Sequence, residues 1–178
     1  TSCHVGVGYQ DRTFDFSDAS RVDCLVCHDT TGTYKKFPTL AGAPWTGPGT
    51  NVFNGVPYPP VDLLAVARNV GKTSRATCGA CHFYGGGGDG VKHGDLDSSL
   101  RNPPRTLDVH MAADGANLAC AGCHRPAPGT HDLAGTYYSK DHADSQSCET
   151  CHTAAPHKRG EQAARLNSHT ARVGCQSC

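Results

Sequence analysis

Apolar residues are spread thinly along this chain, and few segments repeat them with the period of a helix or a strand. The most regular segment is 160–173, where several alanines and a Glu–Arg pair four residues apart favour a helix. A weaker helix is predicted over 140–150, and 61–68 fits a short helix as well as a strand. Proline and glycine are frequent between 29 and 77, which indicates loop. The pattern therefore predicts a mostly irregular coil with short α-helices.

The composition leaves little material for an ordinary hydrophobic core. Of the 178 residues, 37% are hydrophobic and 7% are aromatic, and isoleucine is absent. Burial of so few large side chains hardly offsets the entropy of ordering the chain, about 1.5 kcal/mol per residue. We therefore expect another component to fill the interior.

Charge and hydropathy exclude several classes of protein. Sixteen Lys and Arg balance sixteen Asp and Glu, so there is no basic excess and we expect no binding to nucleic acid. No apolar run reaches the length of about 18 residues that a membrane span needs. The amino terminus has no charged-then-apolar leader, which indicates that any signal peptide is already absent.

The eleven cysteines follow one spacing. Four segments have the complete pattern Cys-x-x-Cys-His, and both chain ends carry part of it. Two cysteines three residues apart lie on one face of a helical turn, where each can form a thioether to a porphyrin vinyl group, and the adjacent histidine reaches the iron. The spacing is the signature of covalent haem c attachment. The cysteines assigned to attachment are Cys3, Cys24, Cys27, Cys78, Cys81, Cys120, Cys123, Cys148, Cys151, Cys175 and Cys178.

Two other uses of paired cysteines fit the sequence less well. Zinc sites also contain Cys-x-x-Cys, and exported proteins form disulfides, but neither requires a histidine directly after each pair. With histidine at about 6% of residues, chance would place one after all four pairs about once in a hundred thousand sequences. We count about six haem sites, four complete and two cut by the chain ends. The chain is therefore expected to be a window of a longer cytochrome.

The number of histidines matches the number needed to give each predicted haem iron two ligands. Five belong to motifs, a sixth is expected just after Cys178, and six lie elsewhere, so that six irons would each have two histidine ligands. Bis-histidine iron is six-coordinate, which suits electron transfer rather than substrate binding. The sequence does not determine which histidine meets which iron. The predicted iron ligands are His4, His28, His82, His93, His110, His124, His131, His142, His152, His157 and His169.

About 30 residues per haem are too few to wrap each haem separately. We therefore predict a single multihaem cytochrome c domain, residues 1–178, in which a haem stack replaces the hydrophobic core. Five aromatic side chains of the loop segment are expected to lie against haem faces and edges. They are Tyr34, Phe37, Trp45, Phe53 and Tyr58.

The segment from Phe83 to Leu96 is rich in glycine and formally contains GxGxxG. No strand is predicted before it, so we reject a nucleotide site, and the spacing of its aspartates is not that of an EF-hand. The glycines are expected to let the backbone pass close to porphyrin and to aim Lys92 and His93.

Two segments resemble the octahaem tetrathionate reductase family: Asp23 to Lys36, DCLVCHDTTGTYKK, and Cys78 to Asp97, which joins CGACHFYG to the glycine-rich run. The resemblance covers most of the chain and implies a mostly irregular, helix-containing fold packed with haem. It also implies export and the reduction of small sulfur or nitrogen oxyanions. In that family the presumed active haem has a lysine ligand, and the resemblance gives this catalytic role to Lys92. The other interpretation of Lys92 is a partner of a haem propionate or a surface charge.

Two functions are therefore predicted. The first is electron transfer through closely packed, mostly bis-histidine haems, as a conduit or as a subunit of an extracellular filament. Its partners would be redox proteins or neighbouring cytochrome subunits, and a filament would be a homo-oligomer. The second is an octahaem-type reductase of tetrathionate, nitrite or hydroxylamine, so the sequence leaves open whether the chain is an enzyme. Both predict a periplasmic or extracellular location.

Overall fold

The computed structural model describes residues 3–91, 96–126 and 147–175. The described chain is mostly coil with short helices, which confirms the predicted fold class. The α-helices are α1 (Leu25–His28), α2 (Leu63–Arg68), α3 (Arg75–His82), α4 (Cys148–His152) and α5 (Ala163–Thr170). The strands are β1 (Asn51–Phe53) and β2 (Val56–Tyr58), and 3-10 turns cover Ala19–Arg21, Ser98–Arg101 and Cys120–Gly122.

The chain forms two compact units, Thr1–Ala121 and Gly122–Cys178. The prediction of one haem domain over 1–178 stays a prediction. In the described part of the chain, every helix is too short or too polar to cross a lipid bilayer.

The loop predicted between 29 and 77 contains a small hairpin. Strands β1 and β2 are antiparallel, with Asn51 opposite Tyr58 and Phe53 opposite Val56. Their turn is Asn54-Gly55, and both residues have positive φ, 49° and 77°, as a tight two-residue hairpin turn requires. The hairpin brings two aromatic side chains to one small cluster.

That aromatic cluster is formed by Phe37, Trp45, Phe53 and Tyr58. The ring of Phe37 lies at its centre, with centroids 5.1 Å from Tyr58, 5.9 Å from Trp45 and 6.1 Å from Phe53. Phe37 is 6% exposed. Four of the five aromatic residues predicted to face haem therefore pack against one another, and their contact with haem stays a prediction.

In the ambiguous segment 61–68, the helix α2 begins at Leu63, directly after the capping residue Asp62. The Asp62 carboxylate accepts hydrogen bonds from the backbone N–H groups of Leu64 and Ala65, at 3.0 and 2.9 Å, and so caps the first turn of α2. Val66 is the fully buried residue of this helix. The capping residue can be recognised in the sequence. The burial of Val66, which decides between helix and strand, cannot.

Both helices predicted near the carboxyl terminus fall at least partly within the described residues. The helix predicted over 160–173 is confirmed, although α5 covers the shorter range Ala163–Thr170. Of the helix predicted over 140–150, the structure describes only its last residues, where Cys148–Thr150 begin α4 and Ser147 is the extended N-cap. Residues 140–146 lie outside the described part.

Candidate haem-attachment and iron-ligand sites

All four complete motifs lie on helical turns. Cys24 is the N-cap of α1, Cys78–His82 forms the last part of α3, and Cys148–His152 is α4. The Cys120 motif begins on the 3-10 turn Cys120–Gly122. A single helical turn places both cysteines of a pair on one side and carries the following histidine with them.

His28 shows how the fold orients a motif histidine. Its ring nitrogen Nδ1 lies 2.8 Å from the backbone oxygen of Gly71. When Nδ1–H donates to this carbonyl, the lone pair of Nε2 is the one available to a metal. The chain after α2 supplies the carbonyl, because Gly71 donates from its N–H to the His28 carbonyl and Thr30 donates to Asn69.

Helices α1 and α3 contact each other, so two attachment segments are brought together. Burial, followed by the neighbouring Cys3 thiol and by Cys27, raises the pKa of the Cys81 thiol. Burial and the neighbouring Cys120 thiol likewise raise the pKa of the Cys78 thiol. The attachment cysteines of four motif segments therefore lie close together within the first unit.

Arg75 at the start of α3 fixes the segment that leads to Cys120. Its guanidinium donates to the backbone oxygens of Leu118, at 3.1 Å, and Arg101, at 3.3 Å, and to the side chain of Asn117 at 2.7 Å. This triple contact explains why Cys120 lies beside Cys78, 42 residues earlier in the chain.

Helix α3, which carries the Cys78–His82 motif, also depends on a close approach between Gly79 and the ring of Phe83. Gly79 is buried, and a Cβ atom at this position would overlap the ring of Phe83. Phe83 is itself buried directly after His82. The glycine therefore lets a large side chain cover the motif helix.

In the second unit, two predicted iron ligands are joined by one side chain. The Asn167 amide accepts from the His157 backbone N–H and donates to the His157 carbonyl, both at 2.9 Å. Asn167 belongs to α5, which also carries His169. The segment 153–157 is thereby held against the helix that bears the second predicted ligand.

The second unit also brings two attachment segments together. Partial loss of hydration, followed by the neighbouring Cys148 thiol, raises the pKa of the exposed Cys175 thiol. The described motif residues of this unit are exposed, in contrast to the half-buried Cys27, Cys78 and Cys81 of the first unit.

The remaining predicted ligands are placed as follows. His4 lies with its ring 5.7 Å from that of Tyr9, and the His110 backbone donates to Asp108. His82, His124 and His152 are exposed at the ends of their motifs. The predicted site residues Lys92, His93, His131, His142 and Cys178 lie outside the described part of the chain.

A buried charged network next to the first complete motif was missed by the sequence analysis. Asp23 accepts from the Tyr34 hydroxyl at 2.5 Å and lies 3.5 Å from the Lys36 ammonium. The Lys36 ammonium also donates to the Gly6 backbone oxygen, and Lys36 is only 5% exposed. The one signal in the sequence is the acidic residue placed directly before Cys24.

The residues present fit covalent haem. No disulfide forms among the ten cysteines in the described part of the chain, so their thiols remain for thioethers. No group of three or more His, Cys, Asp or Glu side chains within the described ranges is arranged to hold a metal ion. Motif helices that carry paired thiols, with a histidine turned by its Nδ1 hydrogen bond, match the donor set of haem c.

Comparison with known proteins finds a solved multihaem cytochrome c that is similar to this chain. No family model and no curated protein matches the chain. A solved structure, the crystal structure of octahaem cytochrome c from Shewanella oneidensis, is 45% identical with a TM-score of 0.71. The match covers 100% of this chain and 36% of that one, so the chain spans about a third of the length of its relative. The chain belongs to the octahaem tetrathionate reductase family of multihaem c-type cytochromes.

Proposed function

We propose that the chain conducts electrons through closely packed haems, about six in number, most of them with two histidine ligands. When bound, haem iron alternates between ferric and ferrous states and accepts one electron at a time. The chain's own task is to attach the haems close to one another and to supply both axial ligands.

The observation that carries the proposal is the convergence of attachment cysteines in the first unit. Cys81 lies beside Cys3 and Cys27, and Cys78 lies beside Cys120. Haems joined to neighbouring thiols would have their edges close together, and short distances are what electron transfer between fixed centres needs.

The ligand prediction supports the same function. The hydrogen bond from His28 Nδ1 to the Gly71 carbonyl leaves Nε2 as the ring nitrogen available to an iron, which supports the proposed ligation. In the second unit, Asn167 holds the His157 segment against the helix of His169. Two fixed ligands on an iron leave no position for a substrate, which favours a conduit.

Electron paramagnetic resonance of the oxidised protein tests the proposal. We expect low-spin signals from every iron and no oxidation of a reduced dye by tetrathionate, nitrite or hydroxylamine. A high-spin or lysine-ligated signal together with turnover would contradict the conduit. Replacement of His169 by Met should change the spectrum and potential of one haem, whereas Ser168→Ala, at the adjacent exposed position, should not.

The second candidate is a reductase of small sulfur or nitrogen oxyanions. It is favoured by the 45% identity to an octahaem cytochrome c. In this function Lys92 would be the ligand of the active haem. The test is Lys92→Met, which should abolish turnover and convert one iron to a new spin state, while Lys72→Met, an exposed lysine before α3, should leave both unchanged.

We also propose export to the periplasm or the cell surface, with redox proteins or neighbouring cytochrome subunits as partners. Electron micrographs under native conditions distinguish a filament from a discrete particle. Long fibres would support a homo-oligomeric filament, and separate particles would contradict it. Fractionation of cells, with haem staining of each fraction, tests the location.

A further inference from the structure

Lys36 and Asp23 form a buried pair, and neither residue is among the predicted attachment cysteines or iron ligands. The side chain of Lys36 is 3% exposed and that of Asp23 is 8% exposed. Transfer of two charges out of water is costly, and a buried ion pair often contributes little net stability. Its position therefore calls for an explanation beyond packing.

Three motif segments meet at this pair. The Lys36 ammonium donates to Gly6, close to the segment of Cys3, and faces the carboxylate that precedes Cys24. Its positive charge also acts on the Cys81 thiol of the third segment, where it opposes the rise in that thiol's pKa. Asp23 in turn accepts a hydrogen bond from the backbone N–H of Leu25, the first residue of α1, at 3.1 Å.

We propose that Lys36 and Asp23 set the reduction potential of the haems attached around them, Lys36 by favouring the ferrous state and Asp23 by opposing it. Reduction adds one electron, and thus one negative charge, to an iron near the pair. A buried ammonium is only weakly screened by water and salt, so it stabilises that added charge, and a buried carboxylate destabilises it. The proposal rests on haem attachment alone, and not on whether the chain is a conduit or a reductase.

Charge-changing variants with opposite expected signs test the proposal. In Lys36→Met, the ratio of reduced to oxidised haem at a fixed potential should fall about tenfold for at least one component, a shift of about 59 mV for a one-electron couple. In Asp23→Asn the same component should move to higher potential. Asn retains a side-chain oxygen that can accept from the Leu25 N–H and from Tyr34, so the fold should persist. The double variant should return close to the wild-type potential.

Lys35→Met is the matched control, because Lys35 is exposed and lies 4.3 Å over the ring of Tyr58. Removal of this solvated charge should leave the potentials almost unchanged. The measurement is a spectroelectrochemical titration of the holoprotein in mildly acidic buffer, without partner or substrate. Shifts of the same sign in both single variants would overturn the proposal, as would an effect of Lys36→Met no larger than that of Lys35→Met. If Lys36→Met does not fold, the rise expected in Asp23→Asn decides the question, and its absence overturns the proposal.

Discussion

The first unit, Thr1–Ala121, buries side chains at several places, whereas none of the described residues of the second unit, Gly122–Cys178, is buried. The first unit has the aromatic cluster around Phe37, the buried Val66 and the Lys36–Asp23 pair. The second has short helices joined by hydrogen bonds such as those of Asn167. Protein contacts thus support the first unit, and for the second, whose described residues include no buried side chain, we predict that haem supplies most of the interior.

The largest expected effect comes from removal of haem in each unit. Cys148→Ala/Cys151→Ala should abolish one attachment and lower the amide-exchange protection of α5 about a hundredfold or more. In the matched variant Cys24→Ala/Cys27→Ala, the β1–β2 hairpin should keep its protection within about tenfold. Mass spectrometry counts the haems, and exchange reports the protection. If α5 and the β1–β2 hairpin lost equal amounts of amide-exchange protection, the proposed difference between the two units would be wrong.

Truncation of the aromatic cluster should be the next largest effect. Phe37→Ala removes the central ring of the cluster and should lower the free energy of unfolding of the first unit by about 3 kcal/mol. Phe16→Ala is the control, because Phe16 is 79% exposed, and it should cost less than about 0.5 kcal/mol. The measurement is denaturant-dependent amide exchange of the hairpin. Equal costs at the two positions would show that the cluster does not support this unit.

Asn167→Ala tests how far protein contacts matter in the second unit. Loss of both hydrogen bonds to the His157 backbone should cost about 1–2 kcal/mol. It should also broaden or shift one low-spin resonance signal, since His157 is a predicted ligand. Ser168→Ala, which removes only a hydroxyl that donates to Arg165, should leave the spectrum unchanged. An unchanged spectrum in Asn167→Ala would show that the hydrogen bonds of Asn167 to the His157 backbone do not affect iron ligation.

The smallest predicted effect is at the cap of α2. Asp62→Ala removes the acceptor of two backbone N–H groups and should destabilise the first unit by about 1 kcal/mol. Asp62→Asn keeps a capping oxygen and should be nearly neutral. Thermal unfolding of the two variants in parallel measures the difference, and equal midpoints would show that burial of Val66 alone fixes this helix.

Local features could be predicted from the sequence, and contacts between distant segments could not. The attachment motifs, the helix around Ala163 and the capping Asp62 are all contained in short stretches. Burial of Lys36 depends on Asp23 and on the carbonyl of Gly6, 30 residues away, so no short stretch of sequence indicates that this lysine is enclosed. The aromatic cluster could not be predicted for a similar reason, because the Asn54-Gly55 turn brings Phe53 and Tyr58 towards Phe37.

The buried Gly79 has a practical consequence for anyone who recodes this gene. The two variable positions of an attachment motif are commonly treated as interchangeable, yet here Gly79 faces the ring of Phe83 while Ala80 faces solvent. A library that randomises both codons should retain many residue types at position 80 and almost only glycine at position 79. Tags, labels or crosslinkers intended for this helix belong on the solvent side.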